Sequence, residues 1–383
     1  MSEAHNSRLL PLSSSSSSSS ASPAPQYHSQ QLLDGKCPSC VLTAIVEPYF
    51  LGSGASTPLG SSFSDFRASV SASHPSVSFY PSVSSIPPRV STAPLLVVIC
   101  GRTSENPLIL SDVIASLRPS AVYLEKPGAP SVSVLQEMSS SSSVAGVPVF
   151  VGFNKNVSPY ARNAKSFFEQ ERLRSPSRRL VVTFGSNNNY ADDEGSLSEC
   201  FFRNSEGLLK NMSIHELSLL TSFFGIKAGD GPTVIVDDVF SDLRTLQCPD
   251  GVSRTDLTRV AVRIQSVRDP YLQVCLKADR CGGTDSYAFV ADAETGELLY
   301  KSDLVEMSVG GTDALAAREE RFKGAMPYFL SQDADYATMK EEVAKAARGE
   351  TPDKDVPTID GAVETLSLAE YLNKAIFEAL GKK

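Results

Sequence analysis

The chain has 383 residues, room for about two domains at roughly 100–200 residues each. Its 44 acidic residues outnumber 35 basic ones, and a net charge of −9 argues against the broad basic surface that nonspecific nucleic-acid or anionic-membrane binding requires. Hydrophobic residues make up 41%, an ordinary share for a globular protein, and no apolar run approaches the roughly 20 residues of a membrane-spanning helix.

Residues 1–34 are low in complexity. Ser13 to Ser20 is an unbroken serine run followed by Ala-Ser-Pro-Ala-Pro. Such a segment buries too little apolar surface to offset its chain entropy, so 1–34 is expected to be a disordered leader. It has no apolar core of a secretory signal. A Ser-rich, acid-poor composition is shared with transit peptides, but Glu3 and the scarcity of Arg weigh against one, and the cytoplasm is the expected compartment. Seven scattered cysteines fit a reducing compartment better than a disulfide scaffold. Cys37-Pro-Ser-Cys40 precedes a strand rather than opening a helix, and no second ligand pair matches it, so no metal site is expected.

Val41 to Val46 reads as a buried parallel strand ending at Glu47. A carboxylate at the end of a second strand commonly bonds a cofactor ribose, which makes Glu47 a candidate cofactor contact. Residues 52–94, rich in Ser, Pro and Gly, read as irregular. Gly52, Gly54 and Gly60 do not have G-x-G-x-x-G spacing. Regular structure resumes with the strand Leu95 to Cys100 ending at Gly101, a helix over Asn106 to Leu117, the strand Ala121 to Leu124, then Glu125-Lys126-Pro127. A helix around Ser131 to Met138 and the strand Val147 to Val151, ending at Gly152, repeat the rhythm. This alternation predicts a parallel sheet with right-handed crossovers. Ligands bind such sheets at the carboxyl ends of the strands, where Gly101, Glu125, Lys126 and Gly152 fall.

From Phe153 the character changes. The stretch Asn154 to Tyr160 is expected to open a helix running to about Leu173, and a second helix is expected from Leu208 to Phe224. Val260 to Gln265, Leu272 to Lys277, Tyr287 to Ala291 and Leu298 to Lys301 alternate with period two, an antiparallel meander with one face covered. Helices over Phe322 to Leu330, Tyr336 to Ala347 and Gly361 to Leu380 close the chain. The domains expected are therefore 35–152 and 153–383.

A parallel α/β half followed by an open, largely antiparallel α+β half, with E-K-P at the join, resembles the Gfo/Idh/MocA family of NAD(P)-dependent sugar and polyol oxidoreductases. Leu95 to Gly101, Tyr123 to Pro127, Val147 to Phe153, Asn211-Met-Ser-Ile-His215 (the family's D-x-x-x-H) and Pro357 to Leu380 carry the resemblance. The sequence departs from the family in three places. The first βα unit of the Rossmann domain, with its G-x-G-x-x-G loop, is missing. Asn211 stands for the usual Asp. Asn106 stands near where many members carry His.

The resemblance implies hydride transfer between a nicotinamide and a secondary alcohol of a sugar, polyol or related compound, the cofactor taking the hydride. The protein then supplies a base and a positive group near the developing alkoxide. Lys126 suits either role, His215 is the proton carrier, and Asn211 supports it. Gly101, Asn106, Glu125 and Pro127 join Glu47 as expected cofactor contacts. Lys155 and Tyr160 are expected to line the sugar pocket. The cofactor is NAD or NADP; Glu47 favours NAD, because a carboxylate repels a ribose phosphate. Homo-oligomers are expected through the exposed face of the second sheet, which would otherwise be a large apolar surface. The missing loop leaves a second reading open: a relative without dinucleotide that acts as a ligand-binding or oligomer-forming protein.

Overall fold

The structure is a computed structural model that describes residues 7–12, 24–88, 91–307 and 330–381, with side chains from residue 27 onward. The chain divides into two units: Met1–Gly152 with Tyr336–Ala362, and Phe153–Asp335 with Val363–Lys383.

In the first unit β1 (Ser7–Leu12), α1 (Ala24–Leu33), β2 (Cys40–Leu42), β3 (Ala44–Val46), α2 (Pro58–Ser73), β4 (Ser78–Tyr80), β5 (Leu95–Ile99), α3 (Asn106–Leu117), β6 (Ala121–Leu124), α4 (Val132–Ala145) and β7 (Val149–Val151) follow one another. Every strand pair is parallel. The order is β4-β3-β1-β5-β6-β7, with β2 also beside β1. Counted in chain order without β2, this is 3-2-1-4-5-6, the doubly wound arrangement that reverses direction at its first strand. Strands β5, β6 and β7 are buried along their whole length. That burial matches their continuous Val, Leu and Ile content, as expected when helices cover both faces.

Two expectations for this unit are overturned. The first βα unit is present: residues within 1–34 form β1 and α1. Only Leu9, Leu10 and Leu12 signal the strand, and Pro11 interrupts them. Its place is set by tertiary pairing, Arg8 to Leu12 lying alongside Leu95 to Ile99 of β5. The serine run Ser13 to Ser20 lies outside the described residues. Nor is 52–94 irregular. Thr57 caps α2, its Oγ1 accepting the Gly60 N–H at 3.0 Å, and Pro58 occupies the first turn. Proline there is a start signal, because its missing N–H has no intrahelical partner to lose. Phe63 and Val70 form the buried stripe of this serine-rich helix, and Phe63 stacks on Phe50 with ring centroids 5.6 Å apart.

The second unit opens with a 3-10 turn, Asn154–Val157, and continues through α5 (Pro159–Arg174), β8 (Leu180–Asn187), α6 (Glu194–Arg203), α7 (Leu208–Asn211), α8 (Ile214–Phe224), β9 (Thr233–Val236), β10 (Asp242–Gln247), β11 (Ser253–Gln265), β12 (Leu272–Asp279), β13 (Ser286–Asp292), β14 (Leu298–Asp303) and α9 (Leu304–Met307). Its sheet runs β10-β11-β12-β8-β13-β14, with β9 also on β11. The meander is interrupted: β8 inserts between β12 and β13, parallel to the first and antiparallel to the second. Burial alternates strictly along β12 and β13. α5 and α8 cover the buried face, with Phe224 edge-on to Phe168 at 5.4 Å. The other face carries Arg263, Gln265, Gln273 and Lys277 beside Tyr287 and Phe289. It is therefore a mixed surface rather than the bare apolar one expected.

The chain ends in α10 (Asp333–Ala347) and α11 (Ile359–Leu380). Residues 336–362 belong with the first unit, so 153–383 is not one continuous domain. Phe150 of β7 bridges Thr358, and the Val151 N–H donates to the Pro357 carbonyl at 3.0 Å. Main-chain pairing of this kind leaves no periodic signature in the sequence. Of the helix expected over Phe322 to Leu330, all but Leu330 lies outside the described residues. Among the described residues no helix is long and apolar enough to cross a membrane, and no group of three His, Cys, Asp or Glu is placed to hold a metal.

Candidate functional site

In the first unit the candidate residues collect at the carboxyl ends of β5, β6 and β7. The ladder runs on into the turns, with the Glu125 N–H on the Ile99 carbonyl and the Gly152 N–H on the Leu124 carbonyl, both at 2.8 Å. The Lys126–Pro127 peptide is cis. Gly128, at φ +92°, closes the turn by donating its N–H to the Glu125 carbonyl at 3.1 Å. Gly152 makes room for this arrangement: a Cβ there would lie 2.5 Å from Tyr123 Oη and 3.1 Å from Glu125 Oε1. Lys126 is half-buried on this turn, and Gly101 is half-buried after β5.

Glu125 Oε1 accepts from Tyr123 Oη at 2.9 Å and from His28 Nε2 at 3.1 Å. Burial by itself would raise the Glu125 carboxyl; the His28 bond and charge, the Tyr123 hydroxyl and the Lys126 charge outweigh it and hold the group below its ordinary range. His28 is fully buried on α1. Burial, then the Lys340 charge, push its pKa down to about 4, against the pull of Glu125. Glu125, expected as a cofactor contact, is thus engaged inside the unit.

Asn106 is also reassigned. It is 1% exposed, and its Nδ2 donates to the Gly128 carbonyl at 3.0 Å. Through Nδ2 it ties the start of α3 to the Lys126 turn. Glu47 sits where expected, after β3, but it is buried and its Oε1 accepts the N–H groups of Tyr49 and Phe50 at 3.0 and 3.2 Å. One oxygen of the expected ribose contact caps its own turn.

In the second unit His215 lies in the first turn of α8, buried and edge-on to Phe153 with ring centroids 6.2 Å apart. Asn211 does not share a continuous helix with it. The Ser213 N–H reaches back five residues to the Leu208 carbonyl at 3.0 Å, and regular bonding resumes with the Leu217 N–H on Ser213. The i, i+4 relation read from the sequence is therefore broken at Met212–Ser213. Apolar spacing alone could not show it, because the stripe runs unbroken across the irregular turn.

Lys155 is 2% exposed, with its ammonium on the Glu216 carboxylate and on Ser286 Oγ, the latter at 2.9 Å. The residue expected in a sugar pocket thus pins the first turn of α8, beside His215. Tyr160 is fully buried; burial, then Glu216 and Asp335, raise its hydroxyl well above the ordinary value. Its Oη has no hydrogen-bond partner among the described residues. Asp335 was not foreseen. Burial pushes its carboxyl up to about 7, against Ser158, Lys155 and Arg162, which gives this unit a carboxyl that titrates near neutrality.

The His28 shift has a measurable consequence. A histidine held neutral by burial stabilises the fold fully above its unfolded value of 6.5, and that contribution is lost as pH falls toward about 4. The loss amounts to about 3 kcal/mol. Asp335, shifted upward, acts with the opposite sign over an overlapping range. The stability difference between wild type and His28→Phe isolates the His28–Glu125 pair from Asp335. Denaturant unfolding at pH 7 and pH 4.5 should show that difference shrinking at the lower pH; an unchanged difference would assign the acid sensitivity elsewhere.

No family model matches the sequence, and no curated protein matches it. Solved structures do match the fold. An apo scyllo-inositol dehydrogenase from Lactobacillus casei superposes with a TM-score of 0.64 at 12% identity, covering 97% of this chain and 96% of that one. A myo-inositol dehydrogenase from Corynebacterium glutamicum ATCC 13032 gives 0.62 at 14%, covering 95% of each. A myo-inositol dehydrogenase from Lactobacillus casei, in complex with NAD(H) and myo-inositol, gives 0.63 at 13%, covering 97% and 94%. At these identities the likeness is one of fold, and the two-domain architecture is that of the Gfo/Idh/MocA proteins.

Proposed function

We propose that this chain, built on the fold of the inositol dehydrogenases, is an NAD-dependent oxidoreductase that interconverts a secondary alcohol of a sugar or polyol and the corresponding ketone. One observation carries the reading: the Glu125-Lys126-Pro127 turn stands at the carboxyl end of β6 in a sheet ordered 3-2-1-4-5-6, where such sheets bind their ligands. A solved structure of the same fold holds NAD(H) and a polyol.

In a sheet of this order a dinucleotide would lie at the carboxyl ends of the strands. Glu47 follows β3, next to β1, and its carboxylate opposes a 2′-phosphate, which favours NAD over NADP. Residues 13–23, which connect β1 to α1, contain no glycine. The tight glycine turn that brings backbone close to a pyrophosphate is therefore lacking in the sequence. When bound, NAD supplies the hydride acceptor. Lys126 carries the amine that takes the hydroxyl proton or faces the developing alkoxide. In the second unit His215 is the proton carrier of this reading, and Asn211 offers an amide to a substrate hydroxyl.

Isothermal titration of NAD(H) and NADP(H) into the purified chain tests the reading. The expected result is NAD binding, weaker than a glycine-loop site would give, and preferred over NADP. No heat with either cofactor at millimolar concentration would remove the hydride acceptor and leave the fold as a ligand-binding or oligomer-forming one.

A further inference from the structure

His28 is surrounded by groups that explain both its protonation and its use. Tyr27 on α1, Tyr123 on β6 and Tyr336 on α10 meet its ring edge-on at 5.9, 5.6 and 5.5 Å. Lys340, fully buried on α10, holds its ammonium 5.8 Å from the Tyr123 and Tyr336 ring centroids and donates to Gln31 Oε1 and the Tyr336 carbonyl. Glu125 is the acidic group bonded to the imidazole. An ionised carboxylate only accepts hydrogen bonds, so Nε2 carries the proton. Nδ1 then points a lone pair into the aromatic cluster, and it has no hydrogen-bond partner among the described residues. A second proton would place an unsatisfied N–H there, which is costly in the interior. The imidazole is thus a fixed, neutral, one-way donor to Glu125.

The carboxylate it holds belongs to the residue before Lys126. Three contacts pin that turn from different elements: His28 of α1 and Tyr123 of β6 on Glu125, and Asn106 of α3 on the Gly128 carbonyl. We propose that His28 is a positioning residue for Lys126: its Nε2–H fixes the Glu125 carboxylate, and the fixed carboxylate sets the orientation and proton affinity of the neighbouring ammonium. The consequence for turnover rests on the dehydrogenase reading above; the consequence for Lys126 itself does not.

The experiment measures Lys126 directly. Lysines of the full chain are reductively methylated with a carbon-13 label, the Lys126 resonance is identified by its loss in Lys126→Arg, and its titration is followed by NMR. His28→Phe keeps an aromatic ring against Tyr27, Tyr123 and Tyr336 but removes the donor. His28→Gln restores a donor at similar reach. In His28→Phe the Lys126 midpoint should fall by about half a pH unit or more, because the carboxylate that favours the ammonium is no longer held. His28→Gln should return it toward wild type. Glu125→Gln, which keeps the shape and removes the charge, should lower it as well, and this variant carries the test if His28→Phe does not fold. In turnover, His28→Phe should lower kcat by about tenfold and leave KM for the polyol within about twofold, since His28 is fully buried and bonded to Glu125. An unchanged Lys126 titration in folded His28→Phe would overturn the proposal and leave His28 a packing residue; for a chain in which that variant is unfolded, an unchanged titration in Glu125→Gln would do the same. A wild type that titrates as described but turns over no polyol with NAD or NADP would count against the proposed reaction alone.

Discussion

Lys126→Ala and His215→Ala are each expected to lower kcat/KM for polyol oxidation by about 10²–10⁴-fold, the range supplied by a positioned acid or base. The two variants differ in what else they remove. Lys126 is half-buried on a turn whose path is held by Glu125, Gly128 and Asn106, so truncating it leaves the fold nearly untouched. His215 is 6% exposed and packs on Phe153, so its truncation should also cost about 1–3 kcal/mol of stability through lost packing. Thermal unfolding beside the kinetics separates the two effects. Lys126→Arg adds a further distinction: arginine keeps the positive charge but does not deprotonate, so it fails if Lys126 is the base and retains part of the rate if Lys126 only stabilises the alkoxide. Near wild-type rates in both alanine variants would sink the site assignment.

How much of this could be read from the sequence depended on which force places each element. β5, β6 and β7 were legible because continuous Leu, Val and Ile runs stop at Gly101, Glu125 and Gly152, and a strand buried on both faces needs no more than that. β1 was not, because it is short, contains Pro11 and stands next to eight serines; what makes it a strand is a partner on either side. That error hid His28. His28 lies within 1–34, and a segment read as a disordered leader offers no site residue. The Glu125 motif itself was legible, but its partner is 97 residues away and its brace Asn106 is 22 residues from Gly128. Spacing rules describe one helix or strand and cannot report contacts between elements that the fold alone brings together. The same limit applies to Asn106 and Lys155: each was assigned to a ligand from its neighbourhood in the chain, and each is engaged by a side chain or carbonyl from another element.

Lys155→Met is expected to destabilise the second unit by about 3–5 kcal/mol, the penalty for leaving one member of a buried ion pair uncompensated. The Lys155 and Glu216 side chains are 3% and 0% exposed, so neither can recover hydration when the other is removed. Glu216→Leu should cost a similar amount, since it leaves the ammonium on the neutral Ser286 Oγ without its paired carboxylate. The double variant, Lys155→Met with Glu216→Leu, should recover much of the loss, because no unpaired charge remains and the volumes are similar. Denaturant unfolding of the four proteins gives the coupling as a double-mutant cycle. The same set decides what Lys155 does for function. It sits in the 3-10 turn Asn154–Val157, and Glu216 directly follows His215 in the first turn of α8. If the pair serves only to hold that turn, the double variant should regain activity along with stability. If the ammonium also contacts substrate, stability returns while KM for the polyol stays raised. Additive losses in the cycle would mean that the two side chains do not depend on each other, and the ion pair would lose its place as the support beneath His215.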